Sequence, residues 1–253
     1  MVEIDFAKLE EIVRDAGKLA QKIKNEEIQV NSSNPDNLQT NADVLLHQFY
    51  IENLPKILNV PILSEEGKSL DLGDLGDKFW IVDPIDGTLS YLHGYPTYVT
   101  QLALMAEGLP IISFVYAPEL NLMYHAKRGA GAFCNGKSVR VSEAQAPKSI
   151  IDNYPSPNPF VSSVIEKLSI SEYLESGSIG LKICRVADST ADIFIKNTRV
   201  FDWDVAPGYL VLEEAGGKCG LLSGESFSFG NPFRKGNFQA LNRTQLYNLE
   251  ALF

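Results

Sequence analysis

Several residue types are scarce in this sequence. Its 253 residues include only three cysteines, three histidines and two tryptophans. Three cysteines cannot all pair within one chain, and Cys134, Cys184 and Cys219 include no Cys-x-x-Cys pair. A disulfide scaffold is therefore excluded, and reduced thiols in a cytoplasmic protein are expected. His47, His93 and His125 show no ligand spacing and are read as structural or exposed rather than catalytic. No apolar run approaches the length of a membrane span, the stretch 111–116 being among the longest, so no membrane partner is expected. The start, Met1-Val2-Glu3-Ile4-Asp5, lacks the basic end and apolar core of a signal peptide. Asn31-Ser32-Ser33 and Asn242-Arg243-Thr244 match a glycosylation pattern that has no meaning in a cytoplasmic chain. Positive charge is also short. Lys and Arg number 22 against 32 Asp and Glu, a net charge of −10, which does not attract nucleic acid polymers or anionic lipid. There is no Walker A motif, Gly129-Ala130-Gly131 lacks the third glycine of a dinucleotide loop, and no calcium-loop spacing occurs.

What remains is ordinary globular composition, 45% hydrophobic and 21% charged, at a length that suits one large or two small domains. A chain of this size buries about 70–75% of the surface its unfolded form exposes and needs no staples. Residues 4–24 carry Leu9, Ile12, Val13, Ala16, Leu19, Ala20 and Ile23 at helical spacing. A polar break follows at 31–37, then a second helix over 41–58 with Pro55 as its kink or end. Short strands are predicted at 78–82, 98–106, 110–116 and 122–126, with a hairpin turn at Cys134-Asn135-Gly136-Lys137. Prolines 147, 155, 157 and 159 mark a boundary, which divides the chain into 1–147 and 148–253. Beyond it helices at 160–168, 179–188 and 205–215 alternate with a strand at 191–195, and Gly216-Gly217 stops the last helix. The class read from this pattern is α+β in front and α/β behind.

Three acidic clusters carry the chemistry. They are Ser64-Glu65-Glu66, Asp83-Pro84-Ile85-Asp86-Gly87-Thr88 after the apolar run Trp80-Ile81-Val82, and Trp203-Asp204-Val205-Ala206-Pro207-Gly208. Asp83 is expected at a strand end and Asp86 at the N-cap of a short helix, whose free N–H groups favour an anion. Asp204 is expected to cap the helix from Val205, with Pro207 in its first turn. Taken singly, each cluster is equally a turn, a cap or solvated surface. Taken together, their carboxylates suit a hard divalent cation such as Mg²⁺, which lets an acidic protein handle a phosphate ester.

The three motifs, in this order and spacing, resemble those of the inositol monophosphatase superfamily, magnesium-dependent and lithium-sensitive phosphatases. The likeness runs from Thr40 and Asp43 to Asn242. It implies a layered αβαβα sandwich of the sugar-phosphatase type, with an antiparallel sheet in the N-terminal half and a mixed sheet in the C-terminal half. It implies two or three Mg²⁺ per site. Glu65, Asp83 and the Ile85 carbonyl would hold one, Asp83, Asp86 and Asp204 the second, and Glu65 a weaker third. Asp43 and Thr88 would orient and activate the attacking water with help from Glu66, and the Gly87 and Thr88 N–H groups would grip the phosphate. The resemblance divides on substrate. Val115-Tyr116-Ala117-Pro118 and Gly177-Ser178 with Leu181-Lys182 look like the bisphosphate nucleotidase branch, which cleaves 3′-phosphoadenosine 5′-phosphate; there Ser178 and Lys182 would shape the substrate pocket. The stretch from Asp86 through Leu89-Ser90-Tyr91-Leu92-His93-Gly94-Tyr95-Pro96 looks like the branch for inositol and sugar phosphates. Lys182 reads equally as a solvated helix residue. A non-catalytic, metal-binding relative of the fold is the remaining alternative, and homodimers or homotetramers are expected from the family.

Overall fold

The computed structural model describes residues 4–26, 28–34, 37–67, 75–142, 146–153, 156–230, 234–235, 237–242 and 246–252. Met1 to Glu3, Pro155, Arg243 and Thr244, which entered the sequence reading, lie outside them.

Helix α1 (Phe6–Glu26) turns the predicted stripe inward, burying Leu9, Ile12, Val13, Ala16, Ala20 and Ile23. Gly17 lies on the same face, where a Cβ would stand 2.5 Å from the Tyr116 ring, so the helix approaches the sheet at van der Waals contact. The polar stretch after it is a two-stranded antiparallel ribbon rather than a break, β1 (Val30–Asn34) with β2 (Asn37–Thr40). Helix α2 (Asn41–Asn53) follows, and Pro55 ends it within a 3-10 turn, Leu54–Lys56.

The first sheet has seven strands: β3 (Ile62–Ser64), β4 (Lys78–Asp86), β5 (Val99–Ala106), β6 (Leu109–Ala117), β7 (Leu122–Lys127), β8 (Ala132–Cys134) and β9 (Lys137–Val139), paired in that order. Short helix α3 (Thr88–Leu92) lies between β4 and β5. All neighbours are antiparallel except β3 and β4, which run parallel and depart from the expected all-antiparallel arrangement. Asn135 and Gly136 both have positive φ, 48° and 76°, as the predicted hairpin turn requires.

The proline-marked segment itself holds a strand, β10 (Ser149–Asp152), ahead of α4 (Pro159–Leu168). Then come β11 (Glu172–Glu175), α5 (Ile179–Ala187), β12 (Ile193–Lys196), β13 (Val200–Phe201), α6 (Asp202–Glu214), β14 (Lys218–Leu221), β15 (Arg234–Lys235) and β16 (Phe238–Leu241). The second sheet runs β11-β10-β12-β16-β14, parallel among its first three strands and antiparallel at β16, the mixed sheet expected. β13 pairs with β15 as a separate ribbon.

The layers stack as α1 and α2, the first sheet, α5 and α6, the second sheet, then α4. The largest apolar core lies in the middle, where Leu181, Ile183, Leu210 and Val211 meet Val115, Phe194 and Phe238. Asp192 ties the two sides of the second sheet together. Its carboxylate accepts from the backbone of Lys148 and Ser149, the hydroxyls of Ser142 and Ser149, and the amide of Asn242. Among the described residues no helix is long and apolar enough to cross a membrane. Cys134, Cys184 and Cys219 are free thiols.

Candidate active site

Strand β4 runs on through Asp86 instead of ending at Asp83. Its pairing with β5 slips by one residue between Asp83 and Asp86. Pro84 lies in this bulge and has no N–H for a ladder bond, so the slip costs little and re-aims the Asp86 side chain. Gly87 then turns the chain at φ 91°, a conformation that favours glycine, and α3 begins at Thr88.

Asp86 does not cap the helix that follows it. Its carboxylate accepts from the Ile179 N–H (3.0 Å) and the Gly180 N–H (2.6 Å), so it caps the N-terminus of α5 from across the molecule. Asp204 is likewise not an N-cap. Helix α6 starts two residues earlier, and Asp204 Oδ2 reaches back to accept from the Phe201 N–H at 2.7 Å. Pro207 consequently falls inside the helix, beyond its first turn.

Glu65 arrives from β3. Its backbone N–H donates to the Val82 carbonyl at 3.2 Å, which continues the parallel ladder and sets Glu65 beside Asp83. Their carboxyls share a hydrogen bond, while Asp83 Oδ1 is buried with no partner among the described residues. Four carboxyls thus gather at one end of β4, and each is held above the ordinary carboxylate range. Burial is the first cause in every case. Asp204 and Glu66 add to it at Glu65, Glu65 and Asp86 at Asp83, and Asp86 at Asp204. Asp204 is pushed up to about 7. Two helix N–H groups, then Lys182 and Lys196, pull Asp86 the other way.

The expected proton-handling group assembles next to them. Asp43, in the first turn of α2, accepts from the Thr40 N–H (2.7 Å) and hydroxyl (2.6 Å). Its other oxygen faces the Thr88 hydroxyl at 3.5 Å, and that hydroxyl also lies 3.2 Å from the Ile85 carbonyl. Burial raises Asp43, and burial then the Asp43 charge raise Glu66, whose carboxylate accepts from the Gln39 amide. His47 stays structural: Nδ1 bonds the Ser64 hydroxyl at 2.9 Å, which pins the turn carrying Glu65 and Glu66.

The two residues expected in the substrate pocket are placed inside the fold. Ser178 is fully buried and caps α5, its Oγ accepting from the Leu181 N–H at 3.0 Å. Lys182 is 1% exposed, which excludes the solvated reading. It hydrogen-bonds Asn153, stands 3.9 Å from Asp152 and lies over the Phe194 ring at 5.1 Å. Burial, with Lys196 nearby, lowers its pKa to about 7.

The donor set is hard oxygen, and the buried Asp83 Oδ1 is an acceptor that a cation would satisfy, so the residues fit Mg²⁺ in kind. Among the described residues, no three His, Cys, Asp or Glu side chains are already set at ligating distance around one point. Sequence reasoning missed Gln101, a fully buried amide on β5 whose Nε2 lies 3.3 Å from Asp86 Oδ2. The available signal was a lone amide in the apolar stretch 98–106, since a buried polar group needs partners.

Comparison with known proteins agrees with this geometry. The chain is 34% identical over 176 residues to a fructose-1,6-bisphosphatase/inositol-1-monophosphatase of Thermotoga maritima, covering 69% of this chain and 66% of that one. It is 29% identical over 230 residues to the 3′(2′),5′-bisphosphate nucleotidase CysQ of Buchnera aphidicola, covering 88% and 86%. The solved Thermotoga maritima IMPase superposes with a TM-score of 0.78 at 28% identity, over 96% of this chain and 92% of that one. Residues 3–249 match the inositol monophosphatase family as a whole. The chain belongs to the inositol monophosphatase family of phosphoric monoester hydrolases.

Proposed function

We propose that this chain is a Mg²⁺-dependent phosphomonoesterase acting on a small phosphorylated metabolite in the cytoplasm, with 3′-phosphoadenosine 5′-phosphate as its substrate and AMP as product. The observation that carries the catalytic reading is the convergence of Glu65, Asp83, Asp86 and Asp204 beside the Thr88–Asp43 pair. A binding-only relative has no use for a hydroxyl and a carboxylate paired beside the ion-binding carboxyls. The nucleotidase reading is supported by the sequence likeness of the segments around Ala117-Pro118 and Lys182 to that branch and by a nucleotidase relative aligned along 86% of its own length. The stretch from Asp86 to Pro96 and the Thermotoga relative support the second reading, an inositol or sugar phosphate.

Glu65, Asp83, Asp86, Asp204 and the Ile85 carbonyl would hold the ions. When bound, Mg²⁺ supplies Lewis-acid chemistry that polarises phosphoryl oxygens and makes water nucleophilic near neutral pH. The Gly87 and Thr88 N–H groups hold the phosphate at the start of α3. The Thr88 hydroxyl orients the water for in-line attack, and Asp43, backed by Glu66, takes its proton. The P–O bond to the ester oxygen breaks in the same displacement, with no phosphorylated side chain. Lys182 acts from beneath, its charge bearing on Asp86.

The test is phosphate release from 3′-phosphoadenosine 5′-phosphate, inositol 1-phosphate, fructose 1,6-bisphosphate and histidinol phosphate, with Mg²⁺, with EDTA, and with Mg²⁺ plus Li⁺. Turnover that needs Mg²⁺, falls with Li⁺ and is fastest on the nucleotide is expected. Asp204→Asn is expected to fold normally and lose at least 100-fold in rate; equal phosphate release by mutant and parent would defeat the mechanism.

A further inference from the structure

Gln101 lies mid-strand in β5, opposite Asp83 on β4 and Val115 on β6, and is fully buried. Its Nε2 stands 3.2 Å from the Trp203 carbonyl, 3.3 Å from the Asp204 carbonyl and 3.3 Å from Asp86 Oδ2. Three acceptors around one terminal atom fix the orientation of the amide, because the flipped form would set Oε1 against all of them. The residue four positions after Trp203, which would donate to its carbonyl in a regular helix, is Pro207. Proline has no N–H, and its ring crowds that carbonyl. A side chain from the first sheet therefore supplies the bond that the helix lacks. The other end of the amide is equally constrained. A Cβ on Gly180 would stand 2.0 Å from Gln101 Oε1, so the backbone that donates to Asp86 lies against this side chain.

We propose that Gln101 is a positioning residue for the ion-binding carboxylates. Its amide replaces the N–H that Pro207 removes and fixes the first turn of α6, with Asp204, relative to Asp86. Those two carboxyls come from different halves of the chain and repel each other. A donor that touches Asp86 and the backbone of Asp204 together sets their separation before any ion arrives. The inference rests on the reading that Asp86 and Asp204 share an ion.

The test compares the parent with Gln101→Ala, Gln101→Met, Pro207→Ala and the double variant Gln101→Ala with Pro207→Ala. Three quantities are read: calorimetric Mg²⁺ affinity of the folded protein, kcat and KM separately, and thermal unfolding in EDTA. Gln101→Ala is expected to weaken Mg²⁺ binding by about 10–100-fold, the usual cost of losing a partner of a metal ligand. kcat should fall in parallel while KM changes less. Pro207→Ala restores a helix donor to Trp203. It should leave Mg²⁺ affinity within about threefold alone and, because it restores the bond to Trp203 but not the tie to Asp86, recover most of the loss in unfolding temperature and only part of the loss in affinity in the double variant. Gln101→Met keeps the buried volume without the amide, so it should stay folded and lose Mg²⁺ affinity to the same extent, which keeps the test open if Gln101→Ala does not fold. A merely structural glutamine would lower the unfolding temperature and leave Mg²⁺ affinity at the parent value in both Gln101 variants, and that result overturns the proposal. Absence of rescue by Pro207→Ala overturns the replacement of the helix donor. A folded parent that binds no Mg²⁺ overturns the ion-binding reading and this inference with it; a parent that binds beside unaffected variants overturns this inference alone.

Discussion

Removing Mg²⁺ should turn the site into a pH-dependent source of instability. Without an ion, Asp204 titrates at about 7 in the folded protein against its ordinary 3.8, because burial and the Asp86 charge disfavour the ionised form. The folded state then holds more protons than the unfolded state between those values. Stability is therefore greatest below about pH 4 for this group and is lost as pH rises toward 7. At 1.36 kcal/mol per pKa unit, Asp204 alone accounts for about 2–4 kcal/mol, the lower figure allowing for its partial contact with solvent. Glu65, Asp83, Asp86, Asp43 and Glu66 shift in the same direction. His47 and His125, lowered by burial, oppose them near pH 6, and Lys182, lowered to about 7, acts only above that. The assay is thermal unfolding in EDTA from pH 4.5 to 7.5. At roughly 2–4 °C per kcal/mol for a chain of this length, a fall of about 5–15 °C across the window is expected. Saturating Mg²⁺ should raise the curve and flatten it, since cation binding favours the ionised carboxyls. Asp204→Asn should flatten the metal-free curve without Mg²⁺. A metal-free protein that grows more stable from pH 4.5 to 7.5, or an Asp204→Asn variant with the parent's slope, would refute the reasoning.

Other outcomes follow from contacts already described. Gly180→Ala places a Cβ 2.0 Å from Gln101 Oε1 and 3.2 Å from Asp86 Oδ2, so a loss of about 1–3 kcal/mol in urea unfolding and a weaker Mg²⁺ response are expected. Gly87→Ala forces a side chain into φ 91°, with the Ser178 backbone 3.3 Å from the new Cβ; turnover should fall at least tenfold while far-ultraviolet circular dichroism stays unchanged. Asp192→Ala strands the donors of Lys148, Ser149 and Asn242, at a cost of about 3 kcal/mol, read as an unfolding temperature roughly 6–12 °C lower.

The residues proposed to hold ions stood out in the sequence because short motifs mark them: Glu65 follows an apolar strand, Asp83 follows the apolar run Trp80-Ile81-Val82 within one, and Pro84 and Gly87 punctuate the chain beside Asp86. Their partners were not legible. Asp86 is capped by N–H groups 93 and 94 residues away, and nothing local distinguishes that from capping the adjacent helix. Asp204 was misread for the same reason, since an aspartate three residues into a helix can satisfy the entering N–H as well as one that precedes it. The antiparallel strands at 98–126 were clear from their length and apolar runs. β10 was hidden among prolines because four residues carry too little pattern, and it exists through pairing with β11 on one side and β12 on the other. Lys182 read equally as a pocket residue and as a solvated helix residue because sequence cannot show that Asp152, Asn153 and Phe194 enclose it.

The position of β16 has a consequence for synthesis on the ribosome. This strand, Phe238–Leu241, lies between β12 and β14 in the second sheet, so those earlier strands have no shared neighbour until it emerges. The first sheet, complete by residue 139, can form during translation, but the layer that supports α6 from behind cannot. The layer behind α6 is therefore closed only after almost the whole chain has left the exit tunnel, and a tethered nascent chain stopped before Phe238 should be folded in its first half and unable to hydrolyse a phosphate ester.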